Sequence, residues 1–231
     1  MPEITIKADD GGSFSAYLAT PSSGKGPGVL VIQEIFGVNP AMREITDGLA
    51  AQGFTALCPD IFWRQQPGIQ LTDKTQAEWG RAFELFQGFD EEKGIADLKA
   101  ALAALRALPS VSGKVGTVGF CLGGRLAYLM ATRSNVDAAF GYYGVGLENN
   151  LHEAASITHP LLLHIAEQDE YCPPEAQAKI TAGLGGNKFV TIAAYPGVNH
   201  AFARPNGQNF NAEAAEAAGQ RSLAFLRSHL A

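Results

Sequence analysis

The sequence has little of what marks metal-binding, secreted or membrane proteins. Its 231 residues include three cysteines, Cys58, Cys121 and Cys172, and no pair has the C-x-x-C spacing typical of zinc sites. An odd number of cysteines argues against a disulfide framework, so we expect a reducing, cytoplasmic location. No apolar run approaches the roughly 20 residues that cross a bilayer. Residues 1–12 carry acidic side chains and no apolar segment, so we expect no secretory signal.

Charge is also scarce and slightly acidic. There are 17 Lys and Arg against 23 Asp and Glu, a formal net charge of -6, and no long basic run. We therefore predict no nucleic-acid or membrane partner. The hydrophobic fraction of 46% suits a substantial core, and the chain has no obvious linker or repeat. We predict a single domain over residues 1–231 that is a monomer or a weak homo-oligomer.

Short apolar runs alternate with amphipathic segments along the chain. The β-branched run Gly28–Gln33 predicts a buried strand, and Asn39 followed by Pro40 predicts a helix that reaches about Gly53. Further predicted strands are Phe54–Cys58, Lys114–Val118, Ala138–Tyr143, Leu161–Ile165 and Phe189–Tyr195. Further predicted helices are Thr72–Gln87, Glu91–Leu108, Leu122–Arg133, Pro174–Leu184 and Ala212–Leu230. This alternation indicates the α/β class, with a mostly parallel central sheet and helices on both faces, while Ile4–Ile6 and Phe14–Ala19 predict an antiparallel hairpin at its edge.

The strongest chemical signal is a glycine-flanked cysteine between a predicted strand and a predicted helix. The segment Gly119-Phe-Cys-Leu-Gly-Gly124 has the G-x-C-x-G form of a nucleophile elbow. In so sharp a turn, side chains two residues before and after Cys121 would collide, and glycine removes the collision. The free N–H groups and dipole at the start of the helix favour a thiolate. Cys121 is therefore a candidate nucleophile.

Other interpretations of this turn are weaker. A phosphate-binding loop needs a lysine and a hydroxyl where Arg125 and Leu126 stand, and a dinucleotide fingerprint needs the absent G-x-G-x-x-G spacing. The remaining alternative is a small cysteine packed in a tight turn. Because a five-residue pattern recurs by chance, catalysis needs a base and an acid elsewhere in the chain.

One of the five histidines stands where a base is expected. His200 follows the last predicted strand and precedes the last helix, whereas His164 lies inside a strand and is expected to be a packed core residue. The acid should follow the preceding strand, where Asp169 is our choice, with Glu167 and Glu170 as alternatives. The chain order of nucleophile, acid and histidine then matches that of α/β-hydrolases.

The chain resembles the dienelactone hydrolase (carboxymethylenebutenolidase) family of α/β-hydrolases over nearly its whole length. The segments that carry this resemblance are Gln33–Asn39, Cys58–Asp60, Gly119–Gly124, Gly141–Gly146 and His200–Arg204. The cysteine elbow combined with Gln-Glu-Ile-Phe-Gly is quite specific.

The resemblance implies roles for several residues. The triad becomes Cys121, Asp169 and His200. Glu34, which would otherwise be an exposed loop carboxylate, contacts the resting thiol and takes its proton once substrate displaces it. The backbone N–H groups of Ile35 and Leu122 form the oxyanion hole.

The resemblance also assigns a substrate pocket. The resemblance implies that Arg204 holds a substrate carboxylate. Without the resemblance, its surrounding sequence is equally typical of a solvated arginine in a loop. Tyr143 ends a predicted strand and is expected to line the pocket, though strand aromatics often only pack.

Three positions depart from the family pattern. Trp79 stands where the family has a second arginine, and Arg81 is two residues away, on a different side of the helix. Phe83 replaces a tyrosine, and Ala201 replaces the serine after the histidine. These changes make the expected pocket more apolar and leave the identity of the substrate open.

The sequence thus predicts a hydrolase that needs no cofactor or metal and acts on a small ester or lactone through a thioester acyl-enzyme. One alternative is a hydrolase of other small esters or thioesters on the same triad. A second is a redox protein in which peroxide oxidises Cys121, although no resolving thiol is evident. A third is a non-catalytic binding module, which would not need the full set of reactive residues.

Overall fold

The structure is a computed structural model that describes residues 3–230, so Met1, Pro2 and Ala231 of the predicted domain lie outside the described residues. Its strands are β1 (Glu3–Lys7), β2 (Ser13–Ala19), β3 (Gly26–Ile32), β4 (Thr55–Pro59), β5 (Val111–Phe120), β6 (Ala138–Tyr142), β7 (Leu161–Ala166) and β8 (Val190–Tyr195). Its helices are α1 (Pro40–Ala51), α2 (Gln76–Gln87), α3 (Glu91–Ala107), α4 (Leu122–Arg133), α5 (Pro174–Leu184) and α6 (Ala212–Leu230), with a 3₁₀ helix at Leu147–Ser156. Across residues 3–230, none of the helices is both long and apolar enough for a membrane span.

The chain divides into two compact units, the first ending at Gly116 and the second starting at Thr117. The boundary falls inside β5. Strand order is β1-β2-β4-β3-β5-β6-β7-β8. The prediction of one domain over residues 1–231 is not tested by this division and stays a prediction.

The first unit opens with the expected hairpin. β1 pairs antiparallel with β2, with Glu3 opposite Tyr17, and β2 pairs antiparallel with β4. β3 and β4 are parallel, with Gly28 opposite Thr55. β3 is fully buried from Val29 to Ile32, as a strand covered on both sides should be, and α3 packs against it.

The starts of the first two helices show where sequence signals were sufficient. The Asn39 side chain accepts a hydrogen bond from the Met42 N–H at 3.0 Å, and Pro40 is the first helical residue, which confirms the predicted start of α1. The predicted start of α2 at Thr72 is wrong by four residues. Thr75 caps that helix, and Glu78 at its third position bonds back to the Thr75 and Thr72 hydroxyls. This cap ends the preceding loop at Thr75.

The second unit contains two parallel strand pairings. β6 pairs with β7 and β7 with β8, both parallel, and every residue of β7 is buried. α4 packs on β6, and α6 packs on β6 and β7. The 3₁₀ helix at 147–156 was not predicted. These parallel pairs with intervening helices confirm the predicted α/β class.

Candidate active site

Cys121 lies in a strained turn between β5 and α4. Its backbone has φ 57° and ψ −117°, a conformation that non-glycine residues rarely adopt. A Cβ atom on Gly119 would lie 1.7 Å from the carbonyl oxygen of Gly123, so glycine is sterically required at position 119. The Cys121 N–H donates to the carbonyl of Tyr142 at 3.1 Å. The turn thus has the geometry expected of a nucleophile elbow.

The first turn of α4 leaves its positive end available to the sulfur. No acidic side chain lies in that turn, and the side chain of the N-cap residue, Cys121, forms no capping hydrogen bond. The N–H groups of a first helical turn lack intrahelical acceptors, so they and the helix dipole favour negative charge nearby. Cys121 is buried, with 7% of its surface exposed.

An acid–histidine pair joins the loops that follow β7 and β8. Nδ1 of His200 lies 2.8 Å from Oδ2 and 3.1 Å from Oδ1 of Asp169. Oδ1 also accepts hydrogen bonds from the backbone N–H groups of Tyr171 and Cys172, at 2.9 and 3.2 Å. These donors hold the carboxylate in one orientation, so Asp169 can orient the imidazole and leave its Nε2 available.

The imidazole of His200 also forms a hydrogen bond with the Cys121 side chain. Burial by itself lowers the pKa of His200. The charge of Cys121 and the hydrogen bonds to Asp169 and Cys121 outweigh burial and raise that pKa to about 10. A protonated imidazole beside a cysteine sulfur is a setting that stabilises the thiolate.

Two tyrosines enclose the histidine ring. The rings of Tyr143 and Tyr171 meet the ring of His200 edge to face, with centroids 5.0 and 4.9 Å away. Tyr143 is buried and has φ 40°, whereas Tyr171 has 36% of its surface exposed. Tyr171 is therefore the solvent-exposed one of the two rings that contact His200.

Arg204 belongs to the same cluster of charges. Its residue is buried, and its backbone N–H donates to the carbonyl of Ala201 at 3.0 Å. Burial raises the pKa of Tyr171, the negative charges of Cys121 and Asp169 raise it further, and the guanidinium of Arg204 opposes them. The second unit thus brings together Cys121, Asp169, His200, Tyr143 and Arg204 of the predicted residues.

Leu122, the other predicted residue of the second unit, begins α4. The remaining predicted residues lie in the first unit. Glu34 and Ile35, just past the end of β3, are buried. Trp79 stacks on Phe83 at 5.5 Å, and its indole N–H donates to the carbonyl of Asp73 at 3.0 Å. The single N–H donor of the indole is used in that bond, so Trp79 can contact a ligand only through its apolar ring surface.

Arg81 is engaged at the surface. Its guanidinium donates to Glu84 at 2.8 Å and to Gln66 at 2.7 Å. The acceptors lie in α2 itself and in the loop before it. A role of Arg81 in substrate binding stays a prediction.

Two residues of the site were not singled out from the sequence. Asn199 and Asn209 bond to the backbone of His200. An asparagine directly before the expected base was the available signal. Among residues 3–230, no group of three or more His, Cys, Asp or Glu side chains is arranged to hold a metal ion.

Comparison with known proteins gives one consistent result. The family model described as the dienelactone hydrolase family matches residues 14–230. The chain is 53% identical over 234 residues to an Azospirillum brasilense protein provisionally named a carboxymethylenebutenolidase, with 100% of both chains covered. It is 42% identical over 223 residues to a carboxymethylenebutenolidase of Pseudomonas putida, covering 96% of this chain and 94% of that one.

A solved structure agrees with the sequence relatives. The fold matches a Klebsiella pneumoniae protein provisionally named a dienelactone hydrolase with a TM-score of 0.87 and 26% identity, covering 99% of this chain and 98% of that one. The chain therefore belongs to the dienelactone hydrolase family of α/β-hydrolases, and it is a carboxylic ester hydrolase.

Proposed function

We propose that the protein hydrolyses a small, carboxylate-bearing lactone or ester with Cys121 as nucleophile, His200 as general base and Asp169 as the orienting acid. One observation carries the proposal. His200 bonds through Nδ1 to Asp169 at 2.8 Å and also bonds to Cys121, so a single imidazole connects the carboxylate with the sulfur. This is the relation that a nucleophilic triad requires.

The first half of the reaction forms a thioester. The thiolate of Cys121 attacks the carbonyl carbon, and the carbonyl electron pair moves to oxygen. When the tetrahedral intermediate collapses, the bond to the leaving oxygen breaks, and that oxygen takes a proton from the imidazolium of His200. In a lactone the resulting alcohol stays attached to the acyl group. The raised pKa of His200 suits this donor role.

The second half regenerates the enzyme. Neutral His200 takes a proton from a water molecule while the water oxygen attacks the thioester carbon. The carbon–sulfur bond then breaks, the thiolate of Cys121 is restored, and the acid leaves. Asp169 holds the ring in the required tautomer in both halves.

The family resemblance supplies two further proposed roles. The backbone N–H groups of Ile35 and Leu122 stabilise the oxyanion, and Leu122 is the first residue of α4, where an N–H has no intrahelical acceptor. Glu34 contacts the thiol in the resting enzyme and takes its proton once substrate displaces it. Its burial, at 2% exposed, is consistent with a carboxylate that does not serve merely as a surface charge.

The substrate end is proposed from Arg204, Tyr143, Trp79 and Phe83. Arg204 is buried, and its charge acts on Tyr171, which packs against His200, so it suits recognition of a carboxylate. Trp79 and Phe83 offer stacked apolar surface where the family pattern has an arginine and a tyrosine. Arg81 is proposed only as a peripheral charge. We therefore expect a substrate with one carboxylate and an apolar remainder.

Hydrolysis assays on matched variants test this function. We expect Cys121→Ala and His200→Ala to lower kcat by at least about a thousandfold on aryl esters and lactones, because each removes a member of the triad. Cys58→Ala is the matched control, since Cys58 is buried in β4 and burial raises the pKa of its thiol to about 12. Turnover by Cys121→Ala equal to that of Cys58→Ala would exclude Cys121 from the mechanism.

The same assay tests the carboxylate clamp. We expect Arg204→Gln to raise KM for a carboxylate-bearing lactone roughly 10- to 100-fold and to change KM for a neutral aryl ester little, since a hydrogen bond to a charged group contributes about 1.5–3 kcal/mol. An equal effect on both substrates would contradict the clamp and favour hydrolysis of other small esters or thioesters.

A further inference from the structure

The loops that carry the acid and the histidine remain paired beyond the ends of β7 and β8. The Glu167 N–H donates to the carbonyl of Tyr195 at 3.0 Å, and the Gln168 N–H donates to that of Val198 at 2.9 Å. The two loops are therefore held together up to the residue before Asp169 on one side and two residues before His200 on the other.

The side chain of Asn199 makes the last connection between these loops. Its Oδ1 accepts a hydrogen bond from the N–H of Glu170 at 3.2 Å and another from the N–H of His200 at 2.6 Å. A carbonyl oxygen has two lone pairs, and both are used. The amide oxygen of Asn199 thus contacts both Glu170, the residue after the acid, and His200 itself.

A second asparagine holds the other backbone group of the histidine. Nδ2 of Asn209 donates to the carbonyl oxygen of His200 at 3.0 Å. Both polar groups of the His200 backbone are therefore bonded to asparagine side chains. The His200 residue is 3% exposed, so water is poorly placed to replace either bond.

We propose that Asn199 is a positioning residue that sets the distance between the Asp169 carboxylate and the His200 imidazole. Asp169 and His200 lie on different loops. The Asn199 side chain bonds to the backbone of both loops, at Glu170 and at His200. Asn209 supports it by fixing the carbonyl side of His200. The proposal rests on the proposed triad, because the Asp169–His200 distance affects turnover only if that pair is catalytic.

Four proteins test the proposal: the wild type, Asn199→Ala, Asn199→Asp and Asn187→Ala. Asp keeps an oxygen that can accept both N–H bonds, whereas Ala removes it. Asn187 is the matched control because its side chain also makes two bonds to the backbone, accepting from the Phe189 N–H at 2.9 Å and donating to the Ala154 carbonyl at 3.1 Å, at the opposite end of β8. Each protein is measured for kcat and KM on an aryl ester and for the pKa of His200 by NMR titration.

We expect Asn199→Ala to lower kcat roughly 10- to 100-fold with KM changed less than about twofold, since an ångström-scale misplacement has effects of this size. The pKa of His200 should also fall in this variant, because a looser contact with Asp169 stabilises the imidazolium less. Asn199→Asp should stay within about threefold of the wild-type kcat, and Asn187→Ala should match the wild type in both measurements.

Three results would overturn the proposal. These are an Asn199→Ala variant that behaves like Asn187→Ala, a loss of kcat with the pKa of His200 unchanged, and an Asn199→Asp variant as impaired as the alanine. If Asn199→Ala does not fold, Asn199→Ser replaces it, with the same readouts. Because the NMR titration needs no substrate, it judges the positioning role even if Cys121→Ala shows that the proposed triad is wrong.

Discussion

Two buried histidines in the second unit have opposite pKa shifts, and their neighbours explain the difference. His164 is as buried as His200, but its ring nitrogens meet the neutral hydroxyls of Tyr195 and Ser222, both at 2.8 Å. Burial, aided by the charge of Arg221, lowers the pKa of His164 to about 3. His200 has anionic partners and a raised pKa. A charged neighbour, rather than burial, thus distinguishes the base from the core histidine.

The low pKa of His164 makes the stability of the fold sensitive to acid. Below pH 6.5 the unfolded chain binds a proton at this residue, whereas the folded protein does so only near pH 3. Stability is therefore lost as the pH falls through this window. Between pH 6.5 and 5 we expect a contribution of about 2 kcal/mol, at about 1.4 kcal/mol per pH unit.

Urea unfolding at pH 6.5 and 5 measures this contribution. His164→Gln should lose about 2 kcal/mol less than the wild type between the two pH values, whatever its absolute stability. His152→Gln is the control, because the His152 side chain is 72% exposed. If wild type and His164→Gln lost equal stability, the buried neutral histidine would not be a source of acid sensitivity.

At the scale of elements, caps decided the helix boundaries more than hydrophobic periodicity did. The Asn39–Pro40 signal gave the start of α1 correctly, whereas the amphipathic pattern alone extended α2 backwards past Thr75. Residues 147–156 were not predicted as helix because a 3₁₀ helix has three residues per turn and lacks the 3.6-residue periodicity of an α-helix.

The cap of α2 gives a prediction at this scale. Thr75→Ala should lower the free energy of unfolding by about 1 kcal/mol, because the Glu78 N–H loses its acceptor at 3.2 Å and Glu78 loses a donor at 2.7 Å. Thr181→Ala is the matched control, since the Thr181 hydroxyl donates only to the Gln177 carbonyl within α5. Equal effects of the two substitutions on urea unfolding would show that the cap contributes nothing particular.

At the scale of the whole molecule, chain order predicted where the candidate triad members lie. Loops after parallel strands meet at one edge of a sheet, so a histidine after β8 and an aspartate after β7 were expected to be neighbours. The bond of Asn199 to Glu170 was not predictable, because it joins residues 29 apart through a side chain whose direction depends on the folded loops. The sequence favoured Asp169 over Glu167 and Glu170 as the acid, and the structure pairs Asp169 with His200.

Mass spectrometry of the protein, quenched in acid during turnover of an aryl ester, determines whether Cys121 carries the acyl group. We expect a mass increase equal to the acyl group, located on the peptide that contains Cys121 and absent from the Cys121→Ala protein. An unmodified Cys121 throughout turnover, or an acyl group on another side chain, would exclude Cys121 as the nucleophile.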